Sequence, residues 1–463
     1  MTTTKRIKQA PLPPTGGYFA SITVRGIRCF GPEQTLKLLD RQGNPARWTV
    51  LLGDNGVGKT TLLQALALLA PVKTSDFVKE QKTTALRPGA VELIKKLKNA
   101  TAVQAQFAFG LLDVGMMRGE TGVSISGELH YKSTIDSIER EESESSVEID
   151  GRDLRHGFPP FPIFCVGYGA SRRIGAGSLD VAKDNPFASL FDDDAPLRNA
   201  EEWLILADYA ANKESSAAKK TRAEAELSRV KEALIALLPD VQDIRVELSM
   251  RPGGVPRVEA KTHDGWIALR DLSLGYRATM AWMIDLAARM FETYPDSKNP
   301  LAEPAVVLVD EIDLHLHPKW QRELLVHLSA RFPQTQFIAA AHSPLVVQAA
   351  PDANIAVLRR RGDHVIIDQD VQSVRGWRVD QILTSELFDL PSARDPAQDE
   401  LRLRREAILG KARLTKADKA ELAKIEAELV DAPSGETPQQ IEAMNIILRA
   451  ASHLEKARGG GAQ

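Results

Sequence analysis

WTVLLGDNGVGKTTLLQALALLA, residues 48 to 70, holds the reading that decides the fold. An apolar run at 48 to 52 reads as a strand. It ends on Gly53-Asp54-Asn55-Gly56-Val57-Gly58-Lys59-Thr60, and a run rich in Leu and Ala follows at once as a helix. The pattern G-x-x-x-x-G-K-[ST] is met in full, between the strand and the helix that its chemistry requires. Glycines at 53, 56 and 58 open backbone angles closed to other residues, so successive N–H groups can converge on phosphate oxygens. The positive end of the helix dipole faces the same anion. Lys59 is expected to reach the β and γ phosphates and Thr60 to offer its hydroxyl to Mg²⁺. Asn55, Gly56, Gly58 and Thr61 complete the expected nucleotide contacts.

A second stretch, VVLVDEIDLHLHP at 306 to 318, supplies the other half of such a site. Branched residues on both parities predict a strand buried on both faces, as in the middle of a parallel sheet. Asp310 and Glu311 then emerge at the carboxyl edge, where open α/β sheets bind ligands. Asp310 is expected to hold Mg²⁺, and Glu311 to orient and deprotonate the attacking water. A helix over 320 to 332 and a further buried strand at 337 to 341 lead to His342, placed to donate to the γ-phosphate. Repeated strand and helix alternation argues for a parallel α/β core.

Outward from these motifs, 463 residues exceed what one hydrophobic core usually holds, and about two or three structural units are expected. A hydrophobic fraction of 43% with 26% charged residues fits a globular protein, and a net charge of −3 demands neither nucleic acid nor an anionic membrane as partner. The two cysteines, Cys29 and Cys165, lie far apart in apolar runs and read as small buried hydrophobes in a reducing compartment. The longest apolar stretch, 62 to 72, is too short to span a bilayer and is interrupted by Gln64. With no secretion signal visible at the start, a cytoplasmic location is expected.

Alternating apolar residues at 18 to 30, 103 to 131 and 147 to 149 predict strands, with a β-rich insertion over 71–160. The period turns helical over 178–240, where Leu227, Val230, Leu234 and Leu237 mark a run of only about two heptads. A hairpin is expected past residue 353, with Arg359 to Arg361, Gly362 and Asp363 at its turn. Thr415 with Asp418, and Thr437 with Gln440, have helix-start spacing. The predicted organisation is a head over 1–375 and a helical domain over 376–463.

Taken in order, GDNGVGKT, LSLGYR, VVLVDE and AAHS resemble the phosphate loop, signature, acidic strand and switch histidine of the ABC-type ATPases. The resemblance covers roughly residues 18 to 375. It implies an α/β head with an antiparallel β lobe and a helical signature lobe, binding ATP with Mg²⁺. It also implies that two heads sandwich ATP, so that Ser273 and Gly275 of one chain contact the nucleotide held by its twin. The signature departs from the usual pattern at Leu274, and the glutamine of the Q-loop has only Gln81 and Gln104 as candidates.

Within that family DEIDLHLHP is similar to the D-E-x-[DE]-x-H-L-H-P pattern of the RecF and overcoming-lysogenization ATPases, with His317-Pro318 where transporter heads carry an Asp. The signature, the stretch 169 to 172 and the tail VDQILTSELFDLPSARDP resemble the stand-alone ATPases of antiphage systems such as Septu. The resemblance implies a sensor or regulatory ATPase, dimeric or larger, controlling a separate nuclease of HNH or other type. DNA is a further candidate partner, and the alternative is a DNA-repair ATPase of the RecF kind. Asp368-Gln369-Asp370 fits half of a toprim metal site, but lacks a glutamate strand and reads as a hairpin end. Arg359 to Arg361, Lys219-Lys220 and Arg402, Arg404 and Arg405 could touch phosphate backbones, but solvated faces at turns and helix surfaces are the favoured reading of each.

Overall fold

The computed structural model describes residues 12, 17–25, 28–70, 106–118, 121–133, 138–140, 144–149, 152–153, 163–172, 185–213, 217–238, 241–247, 256–272, 274–371, 374–393, 395–411 and 415–430, and structural statements concern these. In chain order, β1 (Tyr18–Arg25) and β2 (Gln34–Lys37) precede β3 (Trp48–Leu52) and α1 (Lys59–Leu69). Then come β4 (Gln106–Arg118), β5 (Thr121–Ser133), β6 (Ile138–Arg140), β7 (Glu144–Ile149), β8 (Arg152–Asp153) and β9 (Cys165–Tyr168). A helical stretch follows, with α2 (Ala188–Phe191), α3 (Ala200–Lys213) and α4 (Ala217–Leu237), and after it β10 (Asp243–Glu247), β11 (Arg257–Thr262) and β12 (Gly265–Ala268). The long α5 (Leu274–Thr293) leads to β13 (Ala305–Val309), α6 (Pro318–Arg331), β14 (Thr335–Ala340), α7 (Pro344–Ala349), β15 (Asn354–Arg361), β16 (His364–Asp368) and α8 (Val379–Leu383). Last are α9 (Pro396–Leu409) and α10 (Lys416–Val430).

The central sheet has the order β16-β15-β3-β14-β13-β9. All its neighbours run parallel except β16, which closes the edge antiparallel to β15. The strand parity expected from the sequence is met residue by residue. Val306 and Leu308 join Leu51, Leu62 and Leu66 of β3 and α1 in one core. Val307 and Val309 turn the other way, onto Trp282 and Leu286 of α5 and Leu324 of α6. Trp48 stacks on Phe337 across the β3–β14 pair, ring centroids 4.3 Å apart and planes 9° from parallel.

An antiparallel sheet, with path β2-β1-β4-β5-β7-β8, lies beside this core, and Ile22, Val24 and Leu36 belong to the same cluster as α1. Here β1, β4 and β5 carry the alternating patterns read from the sequence. The helical lobe packs Leu204 of α3 and Val230 and Leu234 of α4 on Val258 and Ala260 of the β10-β11-β12 sheet and on Ile284 of α5.

The chain divides into two compact units, Met1–Asp389 and Leu390–Gln463. A break at 375/376 does not match this division. Val374, Ile382 and Leu387 are buried in the main core, and Trp377 packs against it, so the chain leaves the head only past Asp389. In the second unit α9 and α10 form a hairpin that buries Ile408 and Ile425. Thr415 and Asp418 exchange the two bonds expected at a helix start: Thr415 N donates to Asp418 Oδ2 at 2.9 Å, and Asp418 N to Thr415 Oγ1 at 3.1 Å.

The hairpin past 353 forms, but its arginines lie inside β15 and the turn is at Gly362 and Asp363, where Gly362 takes φ 61°. Arg359 is paired with Asp368 across the hairpin at 3.4 Å. Among the described residues no helix is long and apolar enough to cross a membrane. Ser273, Gln81, Gln104 and Thr437 lie outside the described residues, as does 71–105 of the β-rich insertion.

Candidate nucleotide-binding site

The phosphate loop bridges β3 and α1, and its backbone explains its glycines. Gly53, Gly56 and Gly58 take φ of 136°, 77° and 93°, a region L side chains avoid. Two of them also have no room for a side chain. A Cβ at Gly53 would lie 2.4 Å from the Leu358 carbonyl oxygen, and one at Gly58 would lie 2.5 Å from Cys29 Sγ. The loop is thus backed by the segment after β1 and by β15, and Cys29 Sγ donates to the Val57 carbonyl at 3.4 Å.

Lys59 and Thr60 start α1 at the centre of the site. The Lys59 ammonium donates to the Gly53 and Asp54 carbonyls at 2.7 and 2.8 Å. Burial lowers its pKa, against the opposing pull of Asp310, Glu311, Asp54 and Asp313. Thr60 Oγ1 donates to Asp310 Oδ2 at 2.6 Å. Residues 250 positions apart in the chain thus meet because β3 and β13 flank β14 and end at the same sheet edge. Thr61 is buried; Asn55 and Gly56 are exposed on the loop.

Glu311, one residue beyond Asp310, is half-buried and takes φ 45°, in the left-handed region. Such a backbone costs roughly 1–3 kcal/mol and persists only where surrounding bonds fix it. Here they come from Arg172. Its guanidinium, 2% exposed, donates through one Nη to the carbonyls of Asp310 and Glu311, the latter at 2.8 Å, and through Nε to the Gly169 carbonyl at 3.1 Å. Arg172 also lies over the Trp282 ring of α5, 5.9 Å from its centroid. Burial lowers its pKa to about 10, with Asp310, Asp313 and Glu311 opposing the shift. At neutral pH it stays charged.

Past β14, His342 exposes its side chain at the same edge, and its backbone N–H donates to Asp313 Oδ2 at 2.9 Å. Gly275 lies in the first turn of α5. Of the expected residues, the fold brings together Lys59, Thr60, Asp310, Glu311 and His342. Arg172 and Asp313 were missed. Arg172 belongs to a stretch singled out only by resemblance, and Asp313 sits inside the acidic motif, where two neighbours drew the attention.

The donors at the junction of Thr60 and Asp310 are hard oxygens, a hydroxyl and a carboxylate beside the phosphate loop, which suits Mg²⁺ with a nucleotide phosphate. Models described as "AAA domain" and as "AAA domain, putative AbiEii toxin, Type IV TA system" match residues 21–242 and 187–348. Septu protein PtuA of Bacillus mycoides (strain KBAB4) is 27% identical over 349 residues, 74% of this chain and 41% of that protein. Retron Vc95 probable ATPase of Vibrio cholerae serotype O1 biovar El Tor is 41% identical over 92 residues, 20% of this chain and 18% of that protein. The chain therefore spans about two fifths or less of the length of these relatives. The SMC head domain from Thermotoga maritima overlays with a TM-score of 0.40 at 14% identity, covering 77% of this chain and all of that one. The parallel order β15-β3-β14-β13-β9, with the phosphate loop after β3 and the acidic residues after β13 meeting at one edge, defines a P-loop α/β head. The chain thus carries a P-loop α/β head with a phosphate loop and an acidic strand end at one sheet edge, and it is similar in sequence to the Septu PtuA and retron ATPase proteins.

Proposed function

We propose that the chain binds and hydrolyses ATP as the sensor or regulatory subunit of a bacterial antiphage defence complex, pairing its heads around ATP to control a separate nuclease. The observation that carries the hydrolytic part is the 2.6 Å contact of Thr60 with Asp310, with Lys59 and Glu311 beside it. The likeness to Septu and retron proteins supports the defence part. Thr60 and Asp310 would hold Mg²⁺, which neutralises phosphate charge when bound.

Lys59 leaves its loop carbonyls for the β and γ phosphates, while the loop N–H groups cradle them. Glu311 accepts a proton from a water whose oxygen attacks the γ-phosphorus. The bond to the β-bridging oxygen breaks, giving ADP and inorganic phosphate. His342 donates to the γ-phosphate, and Ser273 and Gly275 close the site from the second head.

The test is Glu311→Gln in the full chain. ATP affinity should be kept and phosphate release slowed on the order of a hundred- to a thousandfold, because the amide is no base. Full turnover would remove Glu311 from this role. The defence assignment is tested by deleting the gene and challenging with phage; unchanged sensitivity would sink it. Exposed Arg360 and Arg361 favour a second reading, a DNA-repair ATPase that itself grips DNA. It predicts tight binding to duplex DNA that weakens steeply with salt.

A further inference from the structure

We infer that Asp313 is a positioning residue for His342, a strut that fixes the switch histidine to the same turn that carries Glu311. The proposal rests on the reading of His342 as the γ-phosphate contact and adds the device that aims it. Asp313 is 7% exposed, and its Oδ2 accepts the His342 backbone N–H at 2.9 Å. A hydrogen bond to a buried carboxylate is stronger than one to a neutral acceptor. His342 itself exposes its side chain, so the anchoring of its backbone governs where the ring can reach.

The strut has a second leg. Gln321 of α6 donates to the carbonyls of Leu316 and Asp313 at 3.1 and 3.4 Å, and its Oε1 accepts from Ser343 Oγ at 2.7 Å. Ser343 in turn caps α7 by accepting from Leu345 N at 3.1 Å. The turn of residues 310 to 316 is thus bonded to His342 and to Ser343 in sequence. Ile312 N donates to the Ala340 carbonyl at 2.9 Å, which locks the turn to the end of β14. Base and histidine therefore ride on one bonded frame, and a shift of either is felt by the other.

The experiment is a double-mutant cycle in the full-length chain, reading kcat and KM for ATP and the affinity for a non-hydrolysable ATP analogue. Asp313→Ala should lower kcat about tenfold or more, the equivalent of one charge-assisted hydrogen bond, and leave analogue affinity within about twofold. Combined with His342→Ala it should be no slower than His342→Ala alone, because both changes remove one unit. Asp313→Asn, whose amide oxygen still accepts, should recover part of kcat. Multiplying effects in the double variant would overturn the proposal. So would a wild-type kcat in Asp313→Ala beside a slow His342→Ala, and that result leaves the reading of His342 standing. Wild-type turnover in His342→Ala would instead overturn the reading and the strut with it. If Asp313→Ala fails to bind the analogue, the cycle is run with Asp313→Asn, and additivity or its absence decides in the same way.

Discussion

Arg172 carries more of the site than any residue named from the sequence outside the two motifs. Its acceptors lie 138 and 139 positions away, and no period or spacing could have shown them. Lys59 and Thr60 were legible because the phosphate loop is contiguous, with its chemistry spelled out in eight residues. A buried guanidinium satisfied by distant carbonyls has no such local signature. Removing it takes a charged donor from the Asp310 and Glu311 carbonyls, of which Glu311 keeps only the Leu314 N–H, so Arg172→Ala should cost about 2–4 kcal/mol of stability, read as a lower unfolding temperature. Turnover should fall further than nucleotide affinity does. Arg172→Lys should rescue poorly, because an ammonium cannot span three carbonyls with a planar fork. Lys59→Ala should abolish nucleotide binding in titrations with a fluorescent ATP analogue, and retained affinity would mean that the loop is misread.

The elements were legible where burial is two-sided. The parity of 306 to 309 placed β13 mid-sheet, and Val307 and Leu308 do face opposite cores. Hairpins were less legible, since strand and turn residues overlap in composition. Arg359 to Arg361 belong to β15 and not to the expected turn: an edge hairpin lets β15 keep Arg360 and Arg361 in solvent, and the φ of Gly362 marks where the chain reverses. The phosphate loop itself yields a sharper expectation. Gly58 combines φ 93° with a Cβ position 2.5 Å from Cys29 Sγ and 2.9 Å from the Phe30 ring. Gly58→Ala should therefore push the loop off its backing and weaken ATP binding by at least about tenfold, measured by calorimetry. Affinity equal to wild type would show that the segment after β1 yields freely.

At the scale of the whole molecule, one head holds a phosphate loop and acidic edge on the central sheet and carries Gly275 in the first turn of α5. If the heads pair as proposed, each ATP takes Lys59 from one chain and Ser273 from the other. Lys59→Ala and Ser273→Arg chains should then both be inactive alone, for different reasons. When the two are mixed and exchange subunits, half of the dimers are mixed in a symmetric pairing. In each of these, one of the two sites unites an intact Lys59 with an intact Ser273. Phosphate release should recover to about a quarter of the wild-type rate, provided that the sites work independently. Recovery below a quarter but above zero in a mixture shown to form mixed dimers means that one competent site works more slowly when its neighbour is not competent. A fully inert mixture counts against any contact by Ser273 across the interface, and would leave each head to hydrolyse ATP with its own residues alone.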